Sequence, residues 1–153
     1  VITPAILGGL LTAGVFSVIV QVVFKLYPQG FLSEVTRGRE TTPKTVQTAG
    51  ASLLIVGTVL GGATLTTWHV AAHQELGAIG RFAVAWAVVA IVNVVDLVVL
   101  DIVIYTWISP SFMQIPGHPP LHDTAVHVRG ALHGTVFLGI PASIAVAAIT
   151  AAA

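Results

Sequence analysis

The sequence contains no cysteine and very little charge. Asp, Glu, Lys and Arg together make up 8% of its 153 residues, whereas a soluble domain usually carries about 25%. The lack of cysteine excludes disulfides, thiolate metal sites and cysteine nucleophiles. The low charge means that the chain cannot cover a water-facing surface. With 56% hydrophobic residues and a mean hydropathy of +0.96, the composition predicts an integral membrane protein.

Several common functional signatures are also absent. The sequence has no P-loop, no G-x-S-x-G motif and no H-E-x-x-H motif, which excludes the chemistries that depend on those motifs. Its formal net charge is zero, so nothing in the composition points to nucleic acid as a partner. Membrane lipid is the partner that the composition predicts.

Four apolar runs are long enough to cross a bilayer, which takes about 20 residues. They cover residues 3–24, 48–70, 82–108 and 125–151. Their length favours buried helices over strands, and no alternation typical of a barrel is present. The first run has no basic region before it and is longer than the apolar core of a signal peptide, so we expect a retained helix. The predicted fold is one all-α integral membrane domain over residues 1–153, an antiparallel four-transmembrane-helix bundle.

The basic residues predict an orientation for this bundle. Four of the six, Lys25, Arg37, Arg39 and Lys44, flank or occupy the first loop. Because cytoplasmic loops carry an excess of Lys and Arg, loops one and three are expected in the cytoplasm and both termini outside.

Two carboxylates interrupt the third run, in the stretch NVVDLVVLDIVIY. An Asp at a helix centre costs roughly 2.5–3.5 kcal/mol on insertion scales, so such residues usually face a bundle interior or a cavity. At 100° per residue, Asp96 and Asp101 lie about 140° apart with Asn93 between them. We therefore expect one broad polar face near the cytoplasmic end of the third helix.

The start of the fourth helix supplies partners for this face. Asp123 and His127 lie near the same end, and Gly130 and Gly134 form a small-xxx-small pattern that lets helices approach closely. His127 should therefore point at another helix. We take Asp96, Asp101 and His127 as candidate catalytic residues, with Asn93 and Asp123 in support. Asp101, His127 and Asp123 could instead hold a divalent cation.

A second histidine pair ends the second helix. His69 and His73 are four residues apart, a spacing that allows both to ligate one metal ion or to face a haem. His73 lies too near the outer surface to favour haem. Polar residues at a wet helix end are the plainer interpretation of this pair. The cofactor therefore stays unknown on sequence grounds.

The polar residues of the third and fourth helices resemble those of an uncharacterised family of small bacterial multi-pass membrane proteins. Tyr27–Pro28 in the first loop is similar too, but the chain departs from the family after Gly117, where HPPLH replaces a Thr-Glu-Gly-type stretch. The resemblance implies a bacterial cytoplasmic (inner) membrane and this topology, but no reaction. The shared pattern comprises Asn93-x2-Asp96-x4-Asp101, Pro110-x-Phe112, Ile115-Pro116-Gly117, and Asp123-x3-His127 followed by Gly130.

Three functions remain open at this point. The Asp/His face could act on a lipid-phase or amphipathic substrate. Asp96 could instead couple a proton or cation to transport, which would require a homo-oligomer because four helices are few for a transporter. The aspartates could also be interhelical hydrogen-bonding groups of a structural or accessory subunit in a membrane complex.

Overall fold

The protein is described here from a computed structural model, which covers residues 1–31, 43–115, 117 and 124–153. Within these residues, four helices are long and apolar enough to cross a membrane: α1 (Ile2–Leu26), α2 (Val46–His73), α3 (Ala78–Ile108) and α4 (Thr124–Ala152). Each of the four apolar runs lies inside one of these helices. Short 3-10 turns at Pro28–Phe31 and Ser111–Met113 follow α1 and α3.

Two of the helices are not α-helical throughout. In α3, the α-helix Ala78–Val95 continues as a π-helix over Asp96–Ile108, which we call the π segment. In α4, a shorter π-helix covers Gly134–Leu138. π-Helices bond each residue to the one five positions away and are rare, although they often occur at functional sites. The regular 100° rotation expected along the third helix is therefore wrong from Asp96 onward.

α3 is the central helix of the bundle. It packs on α1, α2 and α4, and α2 also packs on α1 and α4, whereas α1 and α4 barely touch each other. The α-helical part of α3 buries Val and Ala side chains against its neighbours, and the π segment buries Leu100 and Tyr105. The Val and Ala side chains are Val84, Ala85, Val88, Val89 and Val92.

The α1–α2 interface depends on two reciprocal glycine–threonine contacts. A Cβ atom on Gly8 would clash with the Thr66 side chain, and one on Gly62 would clash with the Thr12 side chain. A larger residue at either position would therefore force the packing to shift. Thr12 Oγ1 also donates a 2.7 Å hydrogen bond to the Gly8 carbonyl, which satisfies the hydroxyl inside its own helix. The two helices are thereby held in close contact.

The helix ends are joined by polar side chains. The Tyr27 hydroxyl lies 3.1 Å from Thr45 Oγ1 and 3.0 Å from Thr48 Oγ1, and Thr45 caps α2 by accepting from the Thr48 amide. The hydrogen bonds with Thr45 and then Thr48 lower the pKa of Tyr27 from its ordinary value. At the other end, the Arg81 guanidinium donates to the carbonyls of Leu76 and Thr150. This second contact joins the start of α3 to the end of α4.

The outer surface of the bundle is strongly apolar. Leu11 on α1, Leu53 on α2 and Phe137 on α4 are 73%, 74% and 64% exposed. Soluble monomers rarely expose large contiguous apolar patches. The surface therefore suits an apolar environment rather than water.

The reciprocal glycine contacts predict that Gly62→Val will destabilise the bundle. The new side chain would meet Thr12 and force α1 and α2 apart, at a cost of about 1–3 kcal/mol. The matched control is Gly61→Val, since nothing lies within 4 Å of a Cβ at the neighbouring glycine. Unfolding of the detergent-purified protein measures both variants. Equal free energies of unfolding for Gly62→Val and Gly61→Val would contradict the close α1–α2 packing at Gly62.

Candidate functional site

The π segment places the two aspartates on one side of α3. The Ser109 amide donates to the Ile104 carbonyl, five residues earlier, at 2.8 Å, and the Thr106 hydroxyl donates a side-chain hydrogen bond of 2.7 Å to the Asp101 carbonyl. Asp96 and Asp101 are also five apart and line the same cavity. The expected angle of about 140° between the two side chains assumed an α-helix. A π-helix has more residues per turn, so residues five apart are separated by a smaller angle around the helix axis.

This cavity, of about 370 Å³, lies in the gap between α1, the π segment and the first turns of α4, with Ile55 of α2 at its border. It exists because α3 separates α1 from α4. Its polar lining comes from α3 and α4: Asn93, Asp96, Asp101, Tyr105 and His127. Its apolar lining comes mainly from α1 and the turns that follow α1 and α3: Phe16, Val20, Phe24, Phe31 and Met113.

Asp101 and His127 form a direct pair across the α3–α4 contact. His127 Nδ1 lies 3.2 Å from Asp101 Oδ2, with the His127 side chain 11% exposed and the Asp101 side chain 34% exposed. The Tyr105 ring meets the imidazole edge-on at a centroid distance of 6.3 Å. At this distance a protonated Nδ1 can donate to the carboxylate, which orients the ring, and a neutral imidazole in that tautomer carries its lone pair on Nε2. This is the arrangement of an oriented acid–base group.

Asn93 lies one helical turn before Asp96 and is oriented by the backbone. Its Nδ2 donates a 3.0 Å hydrogen bond to the Val89 carbonyl, so Oδ1 is the end of the amide that can accept from other groups. A Cβ on Gly134 would lie 3.3 Å from this oxygen. Gly134 therefore lets α4 approach Asn93 closely, as the small-xxx-small pattern predicts.

The other glycine of that pattern behaves differently. A Cβ on Gly130 would have no atom within 4 Å, and Gly130 borders the cavity instead of packing on a helix. The close helix approach expected at Gly130 is therefore wrong, because α4 faces the gap between helices at this level.

Among the described residues, no group of three or more His, Asp or Glu side chains could hold a metal ion. Asp101 and His127 supply two donor groups, and Asp123, the third candidate ligand, lies outside the described residues.

His69 and His73 form a separate, exposed pair near the end of α2. Their rings lie 4.6 Å apart, and His73 Nδ1 lies 2.8 Å from the His69 carbonyl oxygen. Ile55, the α2 residue at the cavity, is 14 positions earlier than His69, which corresponds to about 21 Å of helix. This pair does not contribute to the cavity.

The aromatic wall of the cavity was missed in the sequence. Phe24 stacks on Phe31 at a centroid distance of 4.5 Å and meets Tyr105 at 6.1 Å. Phe16, Val20 and Phe24 follow one another at i, i+4 and i+8, so they share one face of α1. That spacing could have identified the wall. In a helix that is apolar on every side, however, an apolar stripe does not differ from the other faces.

Comparison with known proteins gives no relative for this arrangement: no family model, curated protein or solved structure searched matches the chain. The chemistry of the site must therefore be argued from its own residues.

We predict that Asp101 and His127 are energetically coupled. A double-mutant cycle with Asp101→Asn and His127→Gln should give an interaction energy of about 0.5–3 kcal/mol, the range for residues in contact. The measurement is the free energy of unfolding in mixed detergent micelles.

The control cycle pairs Asp101→Asn with His133→Gln, because His133 is exposed and stacks on Phe137. This cycle should be additive within about 0.3–0.5 kcal/mol. Additivity in both cycles would mean that the Asp101–His127 contact makes no net contribution.

Proposed function

We propose that the protein is an integral membrane protein whose cavity binds an amphipathic molecule and acts on the polar part of that molecule by acid–base chemistry. One observation carries this proposal. The Asp101–His127 pair, 3.2 Å apart, borders a cavity whose remaining lining is mainly aromatic and aliphatic. Ligand sites commonly combine an apolar lining with a few oriented polar groups, in cavities of about 300–1,000 Å³.

In this proposal each polar residue has a distinct role. His127 exchanges a proton with the ligand through Nε2, and Asp101 holds the imidazole and stabilises its protonated form. Asp96 supplies a second carboxylate on the same wall, and Asn93 orients the ligand through Oδ1. Asp123 is retained as a supporting residue on sequence grounds. The apolar wall holds the hydrocarbon part of the ligand.

The membrane location is part of the proposal. Four helices of sufficient length and an apolar outer surface support it. We propose the antiparallel arrangement in a bacterial cytoplasmic membrane, with both termini outside and loops one and three in the cytoplasm. The basic residues around loop one support the orientation, and the resemblance to small bacterial multi-pass proteins supports the source.

The orientation can be tested with single cysteines, since the natural chain has none. Gln47, at the start of α2, and Glu75, between α2 and α3, are both exposed. In intact bacterial cells, a membrane-impermeant maleimide should label Glu75→Cys at once. It should label Gln47→Cys only after the membrane is permeabilised. The reverse pattern would overturn the proposed orientation.

The chemistry can be tested on host lipids. Membranes that contain the wild type should accumulate a converted amphiphile, detected by mass spectrometry of lipid extracts. Loss of one member of a catalytic acid–base pair typically costs about 10²–10⁴-fold in rate. The converted species should therefore be absent with Asp101→Asn and with His127→Gln.

The control for the host-lipid experiment is again His133→Gln, at the same level of folded protein in the membrane. It should accumulate the converted amphiphile as the wild type does. Identical extracts from the wild type and both site variants would overturn the acid–base proposal.

A further inference from the structure

The charges around the cavity are strongly one-sided. Two carboxylates, Asp96 and Asp101, line it, and among its described lining residues His127 is the one side chain that can become cationic. None of the four described Lys and Arg residues is among the lining residues. Lys25 and Lys44 are exposed near the end of α1 and the start of α2, Arg81 donates to the backbone carbonyls of Leu76 and Thr150, and Arg129 is exposed on α4. The polar wall therefore favours positive charge in a ligand.

The polar wall is also rich in hydrogen-bond acceptors. An ionised carboxylate has acceptor atoms and no donor, and Asn93 presents its carbonyl oxygen because its Nδ2 donates to the Val89 carbonyl. These are three acceptor groups on consecutive turns of one helix. A primary ammonium carries three donors and no acceptor, so its hydrogen-bonding capacity matches this wall.

The aromatic residues of the lining suit both the hydrocarbon chain and the charge of such a ligand. Phe24, Phe31 and Tyr105 form a continuous aromatic cluster with centroid distances of 4.5 Å and 6.1 Å. Aromatic faces attract cations electrostatically, and together with Phe16 and Val20 they bury hydrocarbon. An anionic headgroup would meet neither a described Lys or Arg nor a favourable ring face.

We infer that the ligand of this cavity is a lipophilic amine, with its ammonium group at Asp96, Asp101 and Asn93 and its hydrocarbon chain against the aromatic wall. This inference rests on the proposed function, because it names the class of amphipathic molecule that the same site takes. It assigns to Asp101 a second role, as a counter-ion of the ligand as well as a partner of His127.

The test compares three probes that share one dodecyl chain: dodecylamine, dodecanol and dodecyl sulfate. Each is titrated against the full chain in phosphatidylcholine nanodiscs, with empty nanodiscs subtracted. Dodecylamine should bind saturably and at least about tenfold more tightly than dodecanol, as expected from added hydrogen bonds between charged groups. Dodecyl sulfate should bind most weakly.

Asp101→Asn should weaken dodecylamine binding by about tenfold or more and leave dodecanol binding within about twofold. Glu75→Gln removes one negative charge from an exposed position outside the cavity and should change neither. Equal weakening by Glu75→Gln would mean that surface charge, not the cavity, attracts the amine, and would overturn the inference.

The two proposals fail differently in this experiment. If dodecanol or dodecyl sulfate binds the wild type as tightly as dodecylamine, the amine inference is wrong while an amphiphile site remains. If none of the three probes binds saturably, the cavity does not bind single-chain amphiphiles, and the proposed function fails as well. The wild-type comparison does not depend on whether Asp101→Asn folds.

Discussion

The central position of α3 is the constraint on which the rest of the structure depends. The Val and Ala face of its α-helical part packs among three helices. Because α3 stands between α1 and α4, these two helices barely touch. The gap between them is the cavity. The packing of apolar residues thus creates the space that the polar residues line.

The π segment then directs polarity into that space. Carboxylates inside an apolar helix are costly, and the i to i+5 bonding of Asp96–Ile108 gathers both aspartates at one cavity. His127 gives Asp101 a partner at 3.2 Å, and the backbone satisfies the amide of Asn93. The contacts among these polar groups therefore reduce the energetic cost of burying them, whereas the outer surface of the bundle stays apolar.

Particular residues show how far the sequence carried the candidate site. Asp96, Asp101 and His127 were expected to meet, because isolated charges in apolar helices need partners, and all three line the cavity. The angle assigned to the aspartates was wrong, since nothing in a Val-rich run signals a π-helix. Gly134 packs closely, as its pattern predicts, but Gly130 does not. The phenylalanines of α1 were missed because every face of that helix is apolar, so the face that lines the cavity cannot be told from the others in the sequence.

Composition and run length by themselves determined that the chain forms four long apolar helices with carboxylates in the third. Both are properties of contiguous residues, so they do not depend on which helices pack together. Tertiary structure alone decided which helix faces meet, where a gap remains and what lines it. The cavity joins side chains from α1, α3 and α4 that are distant in sequence. Their proximity depends on how the helices pack, as at Gly134, where a missing Cβ lets α4 approach Asn93, and no local pattern specifies the partner.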